Sequence, residues 1–164
     1  MSILLVGIGH PDRGDDAVGP TVLRVLADER AAGGDVHVLD LVDPVDLPLC
    51  WAGAGWVIAV DAVLTGAAPG AITVTELAAG DPGTVVRSRL DLGGSHAFGL
   101  AEAVALSRAL GRLPERLTLV GVEAGDVTAG AGLSPAVAAA VPRAVARIRA
   151  LLSGERIGAG DVPR

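Results

Sequence analysis

A strand-like run, Ile3-Leu4-Leu5-Val6-Gly7-Ile8-Gly9, leads directly into His10-Pro11-Asp12-Arg13-Gly14-Asp15-Asp16-Ala17-Val18-Gly19-Pro20. A glycine-rich turn that delivers adjacent carboxylates, Asp15 and Asp16, to the end of a strand is a poor way to fill a core and a good way to build a site. In open parallel sheets, ligands sit outside the carboxyl ends of the strands. The same edge is assigned Asp40, ending a second strand, and Asp61, ending Val57-Ile58-Ala59-Val60. It also receives His96, reached from a fourth strand through a long loop, and Glu123, ending a fifth. A carboxylate on an aliphatic strand end loses water, and a cation, a partner or a hydrogen-bonded turn must compensate. Asp61 therefore either caps the loop that follows or acts as a ligand, and Asp16 and His96 at the same edge favour the ligand. Two carboxylates and one imidazole form an oxygen–nitrogen set suited to a divalent transition metal such as nickel or zinc, with positions left open for chemistry. Gly93-Gly94 gives His96 a flexible approach.

Competing chemistries fit less well. Gly7-Ile8-Gly9 with Asp40 resembles a dinucleotide fingerprint, but Asp12 stands where the third glycine belongs, and acids in the turn would repel a pyrophosphate. The chain has no lysine, which excludes a phosphate loop of the usual kind. Ser95 adjoins His96, yet neighbours at a helix start point in different directions, and no Gly-x-Ser-x-Gly elbow occurs. Cys50 precedes Trp51 in a short helix with no histidine near in sequence, and reads as a buried structural thiol. His37, inside a strand, reads as structural. Asp15, Asp40 and Glu123 are candidates for orienting the ligands or for capping nearby backbone.

The elements that must position these groups are short apolar runs alternating with stretches of helical period. Strands are predicted at Ile3–Ile8, Val36–Leu41, Trp56–Val60, Ala71–Leu77 and Leu117–Val122. A first helix spans about Asp16 to Ala31, with Val18, Val22, Val25 and Leu26 on one face and Pro20 in its first turn. A short irregular helix covers Val45 to Ala52. Another starts at Ser95 as N-cap, carries Leu100, Val104, Leu106 and Leu110, and ends at Gly111. The last opens at Ser134-Pro135 and runs to about Leu152, with a kink expected at Pro142. The pattern predicts an α/β fold: three layers, with a mostly parallel, twisted five-stranded sheet and helices on both faces. One domain over residues 1–153 is expected, with 154–164 a loose tail.

Composition narrows the function. Hydrophobic residues make up 51% of the chain, yet Tyr is absent and Phe occurs once, so the core is aliphatic. A net charge of −6 without a basic stretch argues against nucleic acid. One cysteine excludes an internal disulfide and a thiolate zinc cluster. No apolar run is long enough for a bilayer, and the start carries no basic segment, so a cytoplasmic protein without a membrane or a secretory signal is expected.

Taken in order, Gly7-Ile8-Gly9, Gly14-Asp15-Asp16-Ala17-Val18-Gly19-Pro20, Val60-Asp61-Ala62, Ser95-His96, Leu119-Val120-Gly121-Val122-Glu123 and Gly132-Leu133-Ser134-Pro135 resemble the hydrogenase maturation endopeptidases. The resemblance runs from Ile3 to about Leu152. It implies an endopeptidase that removes the C-terminal extension of a nickel–iron hydrogenase large-subunit precursor after nickel insertion. The family's metal-binding trio carries over to Asp16, Asp61 and His96, with the same residues as the catalytic set. The nickel would arrive with the precursor, and zinc or another divalent metal could take its place. The partner implied is that precursor, and the protein itself is expected to be a monomer. The family usually has Asn where His10 stands, and often Glu where Asp16 stands. His10 either adds a ligand or only hydrogen-bonds the turn. A non-proteolytic nickel-binding maturation factor or accessory chaperone is the alternative function.

Overall fold

The computed structural model describes residues 2–29, 36–41, 43–78 and 99–154. Gly93-Gly94, Ser95, His96 and the predicted tail beyond Gly154 lie outside the described residues. Five strands are described: β1 (Ile3–Ile8), β2 (Val36–Leu41), β3 (Trp56–Val63), β4 (Ile72–Ala78) and β5 (Arg116–Glu123). Four α-helices accompany them: α1 (Val18–Glu29), α2 (Leu47–Cys50), α3 (Leu100–Ala109) and α4 (Pro135–Leu152). The strands form one sheet in the order β2-β1-β3-β5-β4. β1 pairs in parallel with β2 and β3, and β3 with β5, while β4 lies antiparallel on β5.

Both faces are covered, as period-two alternation requires of buried strands. Leu5, Trp56, Ile58, Val60, Val120 and Val122 point into a core shared with α1 and α4, through Val22, Leu26, Val137, Ala144 and Ile148. Val6, Val57, Ala59, Leu117 and Leu119 point the other way, against Leu47 and Trp51 and against Leu100 and Val104 of α3. The Trp51 indole donates to the Ser107 hydroxyl at 2.9 Å, which satisfies both groups inside that second core.

Several predicted boundaries shift, each for a local reason. β3 continues past Val60 to Val63, so Asp61 lies within the ladder and opposite Gly121. The loop at 64–71 is too short to carry a crossover helix, so β4 turns back antiparallel. Its last residue, Ala78, pairs with Arg116 at the start of β5, which is the edge away from Asp61. The premise that the fourth strand delivers the chain to the acidic edge is thereby corrected. α3 has Gly99 as its N-cap rather than Ser95: Gly99 is extended, with φ −109° and ψ −175°, and its N–H donates to the Glu102 carboxylate at 2.9 Å. Val25, Leu106 and Leu110, predicted on buried faces, are 36%, 38% and 54% exposed. α4 continues through Pro142. Among the described residues, no helix is long and apolar enough to cross a membrane.

Candidate active site

β1 sends the chain to one side, through α1 to β2, while β3 lies on its other side and its chain continues beyond β5. The sheet's switch point is therefore the crevice between the carboxyl ends of β1 and β3, the place where such sheets bind ligands. A short 3-10 turn, Gly14–Ala17, leads into α1 there. Its position is set by contact of bare backbones. A Cβ on Gly19 would lie 2.5 Å from the Ile8 carbonyl oxygen and 2.6 Å from that of Val60, so α1 starts directly over both strand ends. Gly9, at φ +137°, faces the turn so closely that a Cβ would lie 1.9 Å from the Asp16 carbonyl oxygen. The glycines of the motif thus serve to bring the Asp16 backbone down onto the strand ends.

Asp16 is 8% exposed and its Oδ2 accepts the His10 backbone N–H at 2.7 Å. Burial pushes its carboxyl above the usual value of 3.8, only partly countered by the His10 backbone N–H and by the nearby Arg13 charge. The His10 ring meanwhile accepts the Asp12 N–H on Nδ1 at 3.2 Å, so the imidazole braces the turn in which it sits.

Asp61 is also 8% exposed. It continues the alternation of Val57 and Ala59, which faces the layer of α2 and α3, and Gly121 beside it in the ladder adds no side chain. The two carboxylates come from separate elements, Asp16 from the turn that follows β1 and Asp61 from β3, the strand beside β1. The remaining acids have other work. Asp15 is fully buried, and both of its oxygens are engaged. Oδ2 accepts the N–H groups of Gly125 and Asp126 and the Ser134 hydroxyl, each at 2.8 Å, and Oδ1 accepts the Ser134 N–H at 2.7 Å. Burial alone would raise its carboxyl, but these bonds outweigh it and hold the group below 3.8. Glu123, 2% exposed, accepts the Thr65 N–H and hydroxyl at 2.8 Å and the Gly66 N–H at 3.1 Å, which secures the loop after β3. Asp40 is exposed on β2 and has no place in the crevice.

Sequence reading missed Ser134 as a partner of the turn. It does stand at the N-cap of α4, but its hydroxyl makes no cap bond and reaches across to Asp15 instead. Cys50 is exposed rather than buried, because α2 presents Leu47 and Pro48 to the core and leaves Leu49 and Cys50 outside. Partial burial of the sulfur and the nearby Asp46 carboxylate raise its thiol, which keeps it protonated and a weak nucleophile. Among the described residues, no three His, Cys, Asp or Glu side chains group closely enough to hold a metal ion. His96, the third predicted ligand, lies outside them.

A five-stranded, mostly parallel sheet covered by helices on both faces defines the fold class, and comparison with known proteins gives the family. The family model described as hydrogenase maturation protease, HycI, matches residues 46–151, well over half of the chain. The chain belongs to the hydrogenase maturation proteases. That match takes in Asp61 but begins beyond the Asp16 turn, which the full-length relatives cover. The hydrogenase 2 maturation protease of Escherichia coli K12 is 27% identical across 100% of this chain and 97% of its own length. The structure of the hydrogenase maturating endopeptidase HybD from E. coli superposes with a TM-score of 0.79 at 27% identity, covering 94% of this chain and 93% of that one. A solution structure of an endopeptidase from E. coli gives a TM-score of 0.80 at 27% identity, over 99% and 100% of the two chains.

Proposed function

We propose that this protein removes the C-terminal extension of a nickel–iron hydrogenase large-subunit precursor once nickel is in place, and that Asp16, Asp61 and His96 engage the nickel carried by that precursor. The observation that carries the reading is the pair of buried carboxylates, Asp16 and Asp61, at the crevice between β1 and β3. Burial makes the charged form of Asp16 costly, and an arriving divalent cation removes that cost. Carboxylate oxygens with an imidazole nitrogen suit nickel, and zinc or another divalent metal is accepted by the same donors.

On this reading the substrate completes the site. Asp16 is held ready by the His10 N–H, Asp61 is fixed by the rigid ladder of β3 and β5, and His96 supplies the third donor. Binding orients the precursor so that its scissile peptide lies at the mouth of the crevice, where proximity supplies much of the rate. A bound divalent ion offers Lewis acidity toward a carbonyl or a water. Thiol catalysis has little support, since the Cys50 thiol is held protonated on an exposed helix.

Asp61→Ala and His96→Ala are expected to fold and to leave a nickel-loaded precursor uncut, read by the mass of the product. Normal cleavage by both variants would overturn the site. Equal cleavage of nickel-free and nickel-loaded precursor would overturn recognition through nickel. A loaded precursor that is bound but never shortened by the wild-type protein identifies a non-proteolytic maturation factor.

A further inference from the structure

The loop between β5 and α4 is tied to the turn that bears Asp16, and most of the tie is one side chain. Backbone bonds run from Gly14 N–H to Ala131 O at 3.0 Å, from Asp15 N–H to Asp126 O at 2.7 Å and from Gly130 N–H to Asp12 O at 2.7 Å. Beneath them the Asp15 carboxylate takes four donors from the far side, and it alone of these groups is both charged and fully buried. Asp16 is the next residue along. Its carboxylate is then held from its other side by the His10 N–H at 2.7 Å. The 3-10 turn therefore has two side-chain anchors, Asp15 to the β5–α4 loop and Asp16 to the His10 N–H.

We propose that Asp15 is a positioning residue: its buried carboxylate locks the β5–α4 loop onto the turn and so fixes where the Asp16 carboxylate stands. The cost of burying a charge at position 15 is met by hydrogen bonds to both oxygens, and the loop supplies four donors, three to Oδ2 and one to Oδ1. An amide cannot replace the carboxylate. Whichever way it turns, its NH2 faces an N–H donor, Ser134 on one side or Gly125 and Asp126 on the other. None of the side-chain bonds that Asp15 makes belongs to the sheet ladder, and it is a member of neither apolar cluster, so the fold would keep both while the turn would lose its tie to the loop.

The inference concerns catalysis only if Asp16 serves cleavage as proposed above, so the test separates the two. In the metal-free, nitrogen-15-labelled full chain, the His10 amide proton reports its bond to Asp16 without precursor or metal. Asp15→Asn is expected to shift that resonance and to speed its hydrogen exchange. It should also lower kcat on the nickel-loaded precursor by about 10²-fold while KM stays within about twofold. Ser134→Ala, which keeps every backbone donor and removes one hydroxyl bond, should move the His10 signal the same way and lower kcat by about tenfold. Ser107→Ala, which breaks the Trp51 bond in the opposite layer, is the control: it lowers the melting temperature and leaves both kcat and the His10 signal unchanged.

An unmoved His10 amide in folded Asp15→Asn and in Ser134→Ala overturns the inference. Where Asp16→Ala is inactive, a kcat that falls no further in Asp15→Asn than in Ser107→Ala overturns it as well. If Asp15→Asn does not fold, Ser134→Ala decides by the same two readings. Normal cleavage by Asp16→Ala would refute the role of Asp16 in the reaction, and the His10 reading would still decide whether Asp15 positions it.

Discussion

Gly9→Ala tests whether bare backbone at the end of β1 is what seats Asp16. The added methyl would start 1.9 Å from the Asp16 carbonyl oxygen and 3.1 Å from its Oδ1. Real Cβ contacts are not found below 3.0 Å, so the turn must retreat by at least 1.1 Å, or the strand end must shift as far. The backbone there has φ +137°, a region that costs a non-glycine residue about 1–3 kcal/mol. Forced displacement of packed backbone adds about 1–3 kcal/mol. The expected loss, about 2–6 kcal/mol, is a large share of the roughly 5–15 kcal/mol that holds a domain together. Urea unfolding at equilibrium measures it. Gly53→Ala is the matched control, with φ +80° and no atom within 4 Å, and should lose only the backbone part. Cleavage of the nickel-loaded precursor, measured where each variant is folded, should fall by about 10²-fold for Gly9→Ala, as expected of a misplacement near 1 Å, and stay unchanged for Gly53→Ala. If Gly9→Ala lost no more stability than Gly53→Ala and cleaved normally, the close seating of Asp16 would have no functional content.

Glu123→Ala should loosen the loop after β3: Thr65 and Gly66 lose their acceptor, water re-satisfies part of the deficit because both are exposed, and the net cost is about 2–3 kcal/mol. Faster amide exchange at Thr65 and Gly66 checks this, and unchanged exchange there refutes it. The acids of the turn predict opposite pH dependences in the metal-free protein. Asp15, held below 3.8 when folded, contributes stability that is present above 3.8 and lost as pH falls through its folded value. Asp16, raised above 3.8, contributes stability that is present below 3.8 and lost as pH rises through its folded value. Asp16→Asn removes that second dependence while its amide oxygen can still accept the His10 N–H. The variant should therefore be more stable than the wild type at neutral pH, by an amount that shrinks toward pH 4, and inactive. Unfolding curves for both proteins at several pH values settle it, and an advantage that persists unchanged at low pH would contradict the buried ionised state.

Much of this molecule is legible in the residue order. Period-two apolar runs bounded by glycine and proline located all five described strands, and Ser134-Pro135 marked the start of α4, because burial on both faces and fixed proline geometry leave few alternatives. The acids at the strand ends were legible too, since a carboxylate after Ile58-Ala59-Val60 is conspicuous against so aliphatic a chain. Residue type and periodicity had no means of choosing among the acids themselves; only the family resemblance singled out Asp16 and Asp61. Asp15 and Asp16 are chemically identical neighbours, and only the packing of the β5–α4 loop turns one of them inward to four donors and leaves the other at the crevice. Asp40 and Glu123, two strand-end acids alike in charge, part by what lies beside them: Asp40 is exposed, and Glu123 is buried against the Thr65 backbone. The antiparallel course of β4 rests on a loop length and a long-range pairing with β5, which local periodicity does not encode. The residue types and their spacing determined that an acidic edge would exist on an α/β sheet. Contacts between segments more than 100 residues apart, Asp15 with Gly125 through Ser134, decided which of its carboxylates is consumed by backbone donors, because hydrogen-bond satisfaction is a property of neighbours in space and not along the chain.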